Sequence, residues 1–521
     1  MKCRRNCFIF PGRVLLSGFF LLLFVVPSLH ASDETIAPDS YVYPALRRFE
    51  AMGLVSLSPD IPYARSEIEG YVVTIGERIV ACRRKLGSYD RRMLERLEEE
   101  FVGKGTDIEH REDRPVLLYY QDDSKLSFDA IVVGAFLKKA DEDKGEMDGL
   151  FVPEVIFSVP HRFTVQSDYR VVLAPERGLN RRNRKPSPRV KSFRGMTSEY
   201  ERANLSFEGR SWRVEVGRDY INWGNDFEEG LLVSRSAGSL DRFSCRFEIG
   251  RLRVESFQAV LDCTIPRRLA GHRAVVRFPR DIFLGIGETV LYARRGLDFV
   301  YLLPFSSYYS NQFNERGDDN ILWSFDWKVP LKNFGVIYGE FLIDDLQYER
   351  EEPAPDRIGF NAGFDVMLPF WKRGVEISGS YTYLNIFTYA HKDSLLTTYV
   401  TGNGDRRSNS IVGSPLGPDA DRWIFKAKVP VCARMMLVGK YVLTRRGEGN
   451  DLREWDRVSD PHPTFPSGAV TTERTYSILT TLDLRRNSFI YGEIGLRRIS
   501  GGPEGTVESE SFGSVGLRLD L

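Results

Sequence analysis

Hydrophobic and polar residues alternate along most of the chain from about residue 115 onward. At the C-terminus, Val515, Leu517 and Leu519 would share one face of an extended chain, with Gly516 and Arg518 on the other. Similar stretches recur at 212–217, 321–329 and 360–368. Each stretch is predicted to be a strand of about ten residues, the length of a tilted strand that crosses a bilayer.

The connections between these stretches alternate between short and long. Short connections are predicted near 159–162, 208–211, 250, 293–296, 330–333, 369–374, 430–433 and 486–487. Long polar stretches are predicted near 139–150, 175–197, 220–241, 261–282, 304–319, 344–358, 387–420, 445–474 and 499–510. Strand alternation alone also fits a soluble sandwich. Alternating loop lengths favour an up-and-down barrel, with tight turns on one rim and long loops on the other.

The sequence therefore predicts an all-β transmembrane barrel over residues 115–521, with about 18 antiparallel strands between residues 126 and 521. The alternation is weakest in the strands predicted near 283–303. An even number of strands places both ends of the barrel domain on the short-turn rim, which is periplasmic in outer-membrane barrels. The preceding residues would then lie on the periplasmic side.

Residues 32–114, which precede the barrel, are predicted to form a small periplasmic helical bundle. One helix is expected over Pro44–Met52, with Gly53 at its end. Ser66 and Glu69 fit a capping box for a second helix that ends at Gly87, and Asp90 fits the cap of a third. The segment also resembles surface-layer-homology modules, which raises a cell-wall polymer as a partner; a structural plug or cap is the simpler alternative.

Residues 1–31 have the features of a secretory signal peptide. Lys2, Arg4, Arg5 and Arg13 precede an apolar run, and a small-residue cleavage site ends at Ala31. The run is short for a retained membrane anchor, which is the alternative. Export to the outer membrane is therefore predicted.

Composition adds limits on function. The chain has 72 Lys+Arg and 72 Asp+Glu, and removal of residues 1–31 leaves 68 and 72. This slight acidity gives no electrostatic case for nucleic acid. The mean hydropathy of −0.29 argues against a helical membrane protein. It is compatible with a membrane barrel, because half of the residues in each strand face inward and can be polar. Cys82, Cys245, Cys263 and Cys432 form no CxxC pair, and no cofactor is predicted.

Four segments, in this order and spacing, resemble the Wzi-type capsule assembly family of bacterial outer-membrane proteins. They are Phe283–Tyr292, Tyr301–Phe305, Tyr338–Asp345 and Gly413–Trp423. The resemblance covers about residues 41–521. It implies an 18-stranded barrel closed by a periplasmic helical bundle. It also implies a lectin-like, non-enzymatic role in holding capsular or related polysaccharide at the surface of a Gram-negative cell.

Sugar recognition needs aromatic faces and polar groups, and acidic sugars also need Arg or Lys. The long 387–420 connection is the best candidate for such a site. Its candidate ligand-binding residues are Tyr389, His391, Asp393, Arg406, Arg407, Asp419 and Arg422. The alternative is a solvated loop in which Asp419 and Arg422 only fix a turn.

Residues 177–195 contain a basic block without an intervening acid. Its central members are Arg181, Arg182, Arg184 and Lys185. The block could bind anionic polysaccharide or lipopolysaccharide phosphates, or it could be a mobile basic loop. Outer-membrane lipid is the other expected partner.

Asp344 and Asp345 raise two further ideas. Paired carboxylates occur in glycosidases and calcium sites. Neighbouring strand residues point to opposite faces, however, so the two make a poor acid/base pair. Calcium binding by Asp344 and Asp345 remains a weak alternative.

Three function classes are left by these observations. A polysaccharide-binding barrel is favoured, and a channel for small solutes is the first alternative. The second alternative is an outer-membrane hydrolase, although the chain has neither HExxH nor GxSxG.

Overall fold

The protein folds as a closed β-barrel with a small helical region at one end. The structure is a computed structural model. It describes residues 34–102, 117–121, 124–139, 146–159, 163–173, 196–226, 230–315, 319–332, 334–346, 355–368, 374–391, 396–402, 410–450, 452, 464–484, 488–503 and 505–520.

Eighteen of the described strands, β2 to β19, close the barrel. Each pairs antiparallel with its neighbours in sequence, and β19 pairs with β2, where Leu519 lies opposite Val132. Strand β1 pairs antiparallel with the start of β2. The strands are β1 Leu117–Gln121, β2 Ser124–Lys139, β3 Glu146–Val159, β4 Phe163–Leu173, β5 Met196–Gly209, β6 Trp212–Asp219, β7 Leu240–Ile249, β8 Leu252–Asp262, β9 Arg267–Arg277, β10 Phe283–Ala293, β11 Asn320–Pro330, β12 Gly335–Asp345, β13 Arg357–Leu368, β14 Val375–Leu384, β15 Ala420–Cys432, β16 Met435–Arg446, β17 Thr471–Asp483, β18 Phe489–Gly501 and β19 Thr506–Asp520. The predicted fold class is confirmed.

The strand prediction was wrong in two places. The expected long stretch 261–282 contains β9, and the expected strand after residue 296 does not form. Arg267, His272 and Arg273 gave β9 the polarity of a loop, yet each has a partner, which is luminal for Arg267 and Arg273 and on the outer face for His272. The two errors cancel, which is why the predicted number of strands is correct.

The first helix lies within two residues of its predicted bounds, but the second ends at Ala81 and not at Gly87, and a helix that was not predicted forms within the stretch 304–319. The helices are α1 Val42–Ala51, α2 Arg65–Ala81, α3 Ser88–Leu97 and α4 Tyr308–Glu315. The expected Ser66–Glu69 capping box is wrong, because Ala64 is the N-cap and the Glu67 carboxylate accepts its backbone N–H. The predicted cap at Asp90 is also wrong: α3 begins at Ser88, and Asp90 accepts a 2.6 Å hydrogen bond from Arg48. None of the described helices has the length and apolarity to span a membrane.

Residues 34–102, here called the helical plug, have their own apolar core. Its buried members include Val42, Leu46, Phe49, Tyr63, Ile68, Val72, Ile75, Leu94 and Leu97. The plug lies at the rim with the short turns. Arg78 pairs with Asp281, and Arg92 and Arg48 donate to the carbonyls of Leu484 and Gly374. All three partners lie in short connections.

Candidate functional site

Charged residues of the helical plug reach inward and pair with charged residues on the inner barrel wall. Glu50 accepts a 2.6 Å hydrogen bond from Lys328 of β11. Arg48 lies 3.4 Å from Glu376 of β14. The Asp60 carboxylate lies 2.9 Å from the guanidinium of Arg273 in β9. Pairs such as these bind the plug to several strands at once, and each charge has an opposite charge beside it.

Glu67 of α2 makes the same kind of contact with β7 and β8. Its carboxylate lies 2.8 Å from Arg253 and 3.2 Å from Arg246. Burial raises the pKa of this carboxyl, but the two guanidinium groups outweigh burial and lower the pKa to about 2. Glu67 is therefore charged at neutral pH and ties the plug to the wall.

The described part of the connection between β6 and β7, residues 220–226 and 230–239, folds into the barrel and is here called the luminal connection. Its Asn222 exchanges two backbone hydrogen bonds with Ile61 of the plug. On the other side, the Glu340 carboxylate of β12 accepts the backbone N–H groups of Leu231 and Leu232 at 2.9 and 3.1 Å. The plug and the luminal connection thus meet inside the barrel.

An apolar core forms around the luminal connection. It joins residues of that connection to the inner faces of β8–β12, β14 and β15 and to residues between β14 and β15. Its buried members include Trp223, Leu231, Leu232, Phe257, Leu269, Leu291, Leu322, Leu342, Leu384, Tyr389, Tyr399, Val412 and Leu416. The described residues therefore fill the lumen along these strands.

The connection between β14 and β15, residues 385–419, overlaps the predicted sugar-binding stretch 387–420, and its described residues contribute much of this core. Tyr389 and Tyr399 stack with their ring centroids 5.6 Å apart, and both rings are fully buried. The Tyr389 hydroxyl donates to the Leu231 carbonyl at 2.7 Å and accepts the Ser414 N–H at 3.1 Å. Burial raises the pKa of both phenols. In this structure Tyr389 offers no face to a sugar; it fixes the connection to the luminal core.

Two predicted acidic residues also hold backbone in place. Asp419 is fully buried and accepts the N–H groups of Gly449 and Ser467, each at 2.9 Å. The Asp344 carboxylate accepts the Tyr389 N–H at 2.6 Å. Because Asp344 and Asp419 are engaged in this way, each shapes the 385–419 connection.

Among the described polysaccharide-binding candidates, His391 and Arg422 keep partly exposed side chains. The His391 Nδ1 lies 2.7 Å from the Thr397 hydroxyl, and the Arg422 Nε donates to the Thr444 hydroxyl at 3.1 Å. These contacts orient both side chains near the long-loop rim.

The remaining predicted site residues lie outside the described residues. They are Asp393, Arg406, Arg407, Arg181, Arg182, Arg184 and Lys185. Within the described part of the chain, no group of three or more His, Cys, Asp or Glu side chains could hold a metal ion, and this includes the surroundings of Asp344 and Asp345.

Sequence reasoning missed Arg267, which is fully buried at the start of β9. Its guanidinium donates to the carbonyls of Leu396 and Thr398 at 2.7 and 2.8 Å. This arginine therefore organises a connection about 130 residues away in the sequence. Only recognition of β9 as a strand could have pointed to it.

The fold and the site define a closed outer-membrane-type barrel, plugged at the short-turn end and filled by its own connections along β8–β15. No protein-family model and no curated protein matches the chain.

Solved structures of low sequence identity do match. The chain is similar to Wzi, described as an Escherichia coli carbohydrate-binding outer-membrane β-barrel involved in group 1 capsule assembly. That alignment has a TM-score of 0.59 and 12% identity, and covers 94% of this chain and 99% of the other. Pseudomonas aeruginosa OprD matches with a TM-score of 0.46 and 8% identity, over 78% of this chain and 98% of the other. The fold implied by the family resemblance is confirmed.

Proposed function

We propose that the protein is a non-catalytic outer-membrane barrel that binds or organises surface polysaccharide, capsular or related. The observation that carries the proposal is the packing of described residues into the lumen along one side of the barrel wall. A helical plug enters from one end, and the luminal connection and residues of the 385–419 connection pack against the inner wall above it. Such an interior favours a binding surface on the long-loop rim over passage of solutes.

The similarity to Wzi supports this proposal, because that barrel is described as carbohydrate-binding. Orientation follows from the loops: the short-turn rim would be periplasmic and the long-loop rim would face the cell exterior. Residues 1–31 would be the signal peptide, 32–114 the periplasmic region and 115–521 the barrel.

The proposed polysaccharide site combines two groups of residues. Tyr389 and Asp419 position the 385–419 connection from below. His391, Asp393, Arg406, Arg407 and Arg422 would contact the polymer, with Arg181, Arg182, Arg184 and Lys185 adding positive charge. Charge-assisted hydrogen bonds from arginine suit the carboxylates of acidic sugars.

The test is binding of an acidic polysaccharide, purified from the host surface, to the detergent-solubilised protein by isothermal titration calorimetry. The double variant Arg406→Ala, Arg407→Ala is expected to lower affinity by at least about tenfold, the effect of about 1.4 kcal/mol. Neutral dextran should bind weakly to both proteins.

The matched control is Arg251→Ala, Arg434→Ala. Both of these arginines are exposed in short turns at the opposite rim, so the control removes the same charge far from the proposed site. Equal losses in the two double variants would overturn the assignment of the site. No binding of the host polymer by a correctly folded barrel would overturn the proposed function.

Two measurements address the alternatives. Steady, large conductance steps in planar bilayers would favour the channel. Release of short oligosaccharides or new reducing ends from the bound polymer would favour the hydrolase.

A further inference from the structure

The connection between β10 and β11 begins on the outside of the barrel wall. Its described part, residues 294–315, is here called the outer-wall segment. Strand alternation proves the side: Leu291 and Leu322 belong to the luminal core, whereas their neighbours Val290 and Tyr292 pack in a separate cluster. That cluster also contains Tyr301 and Tyr308 of the segment and Ala270 of β9.

Glu288 binds the outer-wall segment to the middle of β10. Its carboxylate accepts the backbone N–H groups of Tyr308 and Tyr309, both at 3.0 Å, at the start of α4. It also accepts the Trp323 indole N–H at 2.8 Å and lies 3.1 Å from His272 Nε2. With four donors around it, this outward-facing carboxylate acts as an attachment point for the segment.

Further contacts extend the attachment toward the long-loop rim. The Gln258 amide donates to the Asp298 carbonyl at 2.7 Å and accepts from the Tyr292 hydroxyl at 3.2 Å. The Tyr308 ring lies over His272, with their centroids 4.3 Å apart. The inner face of the segment is therefore packed and hydrogen-bonded against four strands, β8 to β11.

The opposite face of the outer-wall segment is apolar and exposed. Phe299 and Phe305 are 77% and 81% exposed, and Leu297 and Leu303 are more than half exposed. Residues 296–312 contain a single charged residue, Asp298. Exposed apolar clusters of this kind mark a binding surface.

The wall beside the segment has the same character. Leu284 and Ile286, outward on the same strand as Glu288, are 47% and 51% exposed. In a membrane barrel such positions face acyl chains. The apolar face of the segment continues this surface, and Glu288 in mid-strand places α4 well below the rim.

We infer that the exposed face of the outer-wall segment inserts into the outer leaflet and contacts lipid acyl chains. Leu297, Phe299, Leu303 and Phe305 form this surface, and the tyrosine cluster and Glu288 hold it against the wall. The segment thereby widens the barrel on one side and covers polar wall residues that lipid would otherwise meet. This inference rests on the barrel lying in a bilayer, and it is independent of polysaccharide binding.

The test uses spin labels on single cysteines in a chain whose native cysteines are replaced by serine. Labels at Phe305→Cys and Phe299→Cys are measured by electron paramagnetic resonance in dimyristoylphosphatidylcholine vesicles. Oxygen, which partitions into lipid, should relax both labels more than a water-soluble nickel chelate does.

Two controls frame the result. A label at Phe325→Cys, an outward and exposed mid-strand position, defines lipid contact, and one at Thr264→Cys, in an exposed outer turn, defines water. If the labels at 299 and 305 have the accessibilities to oxygen and nickel found at Phe325, the inference is supported. If they have those found at Thr264, the inference is overturned, and the surface would instead bind a protein or polysaccharide, which these vesicles lack. A water-like label at Phe325 would overturn the membrane location itself.

Discussion

Two connections of this barrel leave the same rim and pack on opposite faces of the wall. The luminal connection packs inward, where Glu340 accepts two successive backbone N–H groups. The outer-wall segment packs outward, where Glu288 does the same. Each connection is thus held by one strand glutamate, but their surroundings differ.

The difference lies in charge. The luminal connection contains Asp226 and Arg235, and the nearby lumen holds the Arg273–Asp326 pair. Residues 296–312 of the outer-wall segment contain Asp298 as their single charged residue and expose phenylalanine and leucine instead. A plugged lumen can accommodate charges in pairs, whereas a surface against lipid excludes them. The two connections therefore differ in the polarity of their exposed residues, which matches the face of the wall that each one covers. The glutamate holds each connection against the wall.

The largest expected effect is that of Glu340→Ala. The change leaves the buried N–H groups of Leu231 and Leu232 without an acceptor, and should lower the free energy of unfolding by about 4 kcal/mol. The luminal connection should then move away from the wall. Planar-bilayer recordings should show larger or more frequent current steps than for the unaltered protein, and thermal unfolding should report the lost stability.

Glu340→Gln is the internal control, because its amide oxygen can still accept one N–H, and about half of the loss is expected. Unchanged conductance of a folded Glu340→Ala barrel would show that the plug alone closes the lumen.

Glu288→Ala tests the outer side of the comparison. The N–H groups of Tyr308, Tyr309 and Trp323 lose their acceptor, at a cost of about 3 kcal/mol. Conductance should stay at the unaltered level, because the lumen is untouched. Faster proteolysis between residues 294 and 315 in detergent is the readout. An increase in conductance would contradict the separation of the two faces.

Protonation of Glu67 tests the attachment of the helical plug below the luminal connection. Since the folded-state pKa of Glu67 is about 2, below the ordinary 4.5, its stabilising effect is full above pH 4.5 and is lost as pH falls to about 2. The difference in unfolding free energy between the unaltered protein and Glu67→Gln should reach about 2 kcal/mol at neutral pH and vanish near pH 2. The helical circular dichroism signal reports unfolding of the plug.

The comparison of the two proteins is needed because burial raises the pKa of the nearby Asp60 to about 7, a shift opposite to that of Glu67. The effect of Asp60 on stability is present in both proteins and cancels in their difference. Glu77→Gln is the matched control, because it removes one carboxylate from the exposed side of α2. A constant difference from pH 2 to 7 for Glu67→Gln would refute the ion-pair attachment.

The smallest expected effect is that of Tyr389→Phe. Loss of the hydroxyl leaves the Leu231 carbonyl and the Ser414 N–H without this partner, which should lower unfolding free energy by about 1 kcal/mol. Tyr476→Phe, at a half-exposed outward position, should change it by less than about 0.5 kcal/mol. Equal effects would mean that Tyr389 does not fix the 385–419 connection to the luminal core.

Part of the site was predictable and part was not. The long 385–419 connection, with Tyr389 and Asp419 in it, stood out from local composition. The burial of both did not, because it depends on Leu231, Gly449 and Ser467, which come from other connections. The role of Arg267 could not be predicted for the same reason, because its partners Leu396 and Thr398 come from another connection.

The sequence by itself determined the barrel. Alternation with a period of two marks a strand wherever it occurs, and alternating loop lengths set the up-and-down order. The same local signal misled at residues 297–303, where an apolar stretch with a covered face and an exposed face looks like a strand.

Only the tertiary structure decided which face of the wall each connection covers. Glu340 and Glu288 differ in side because strand register directs one into the lumen and the other outward. Their partners are separated from them by about 108 and 20 residues. Packing on either face depends on hydrogen-bond acceptors and apolar surfaces that come together only when the whole sheet closes. These contacts therefore cannot be predicted from the local sequence pattern.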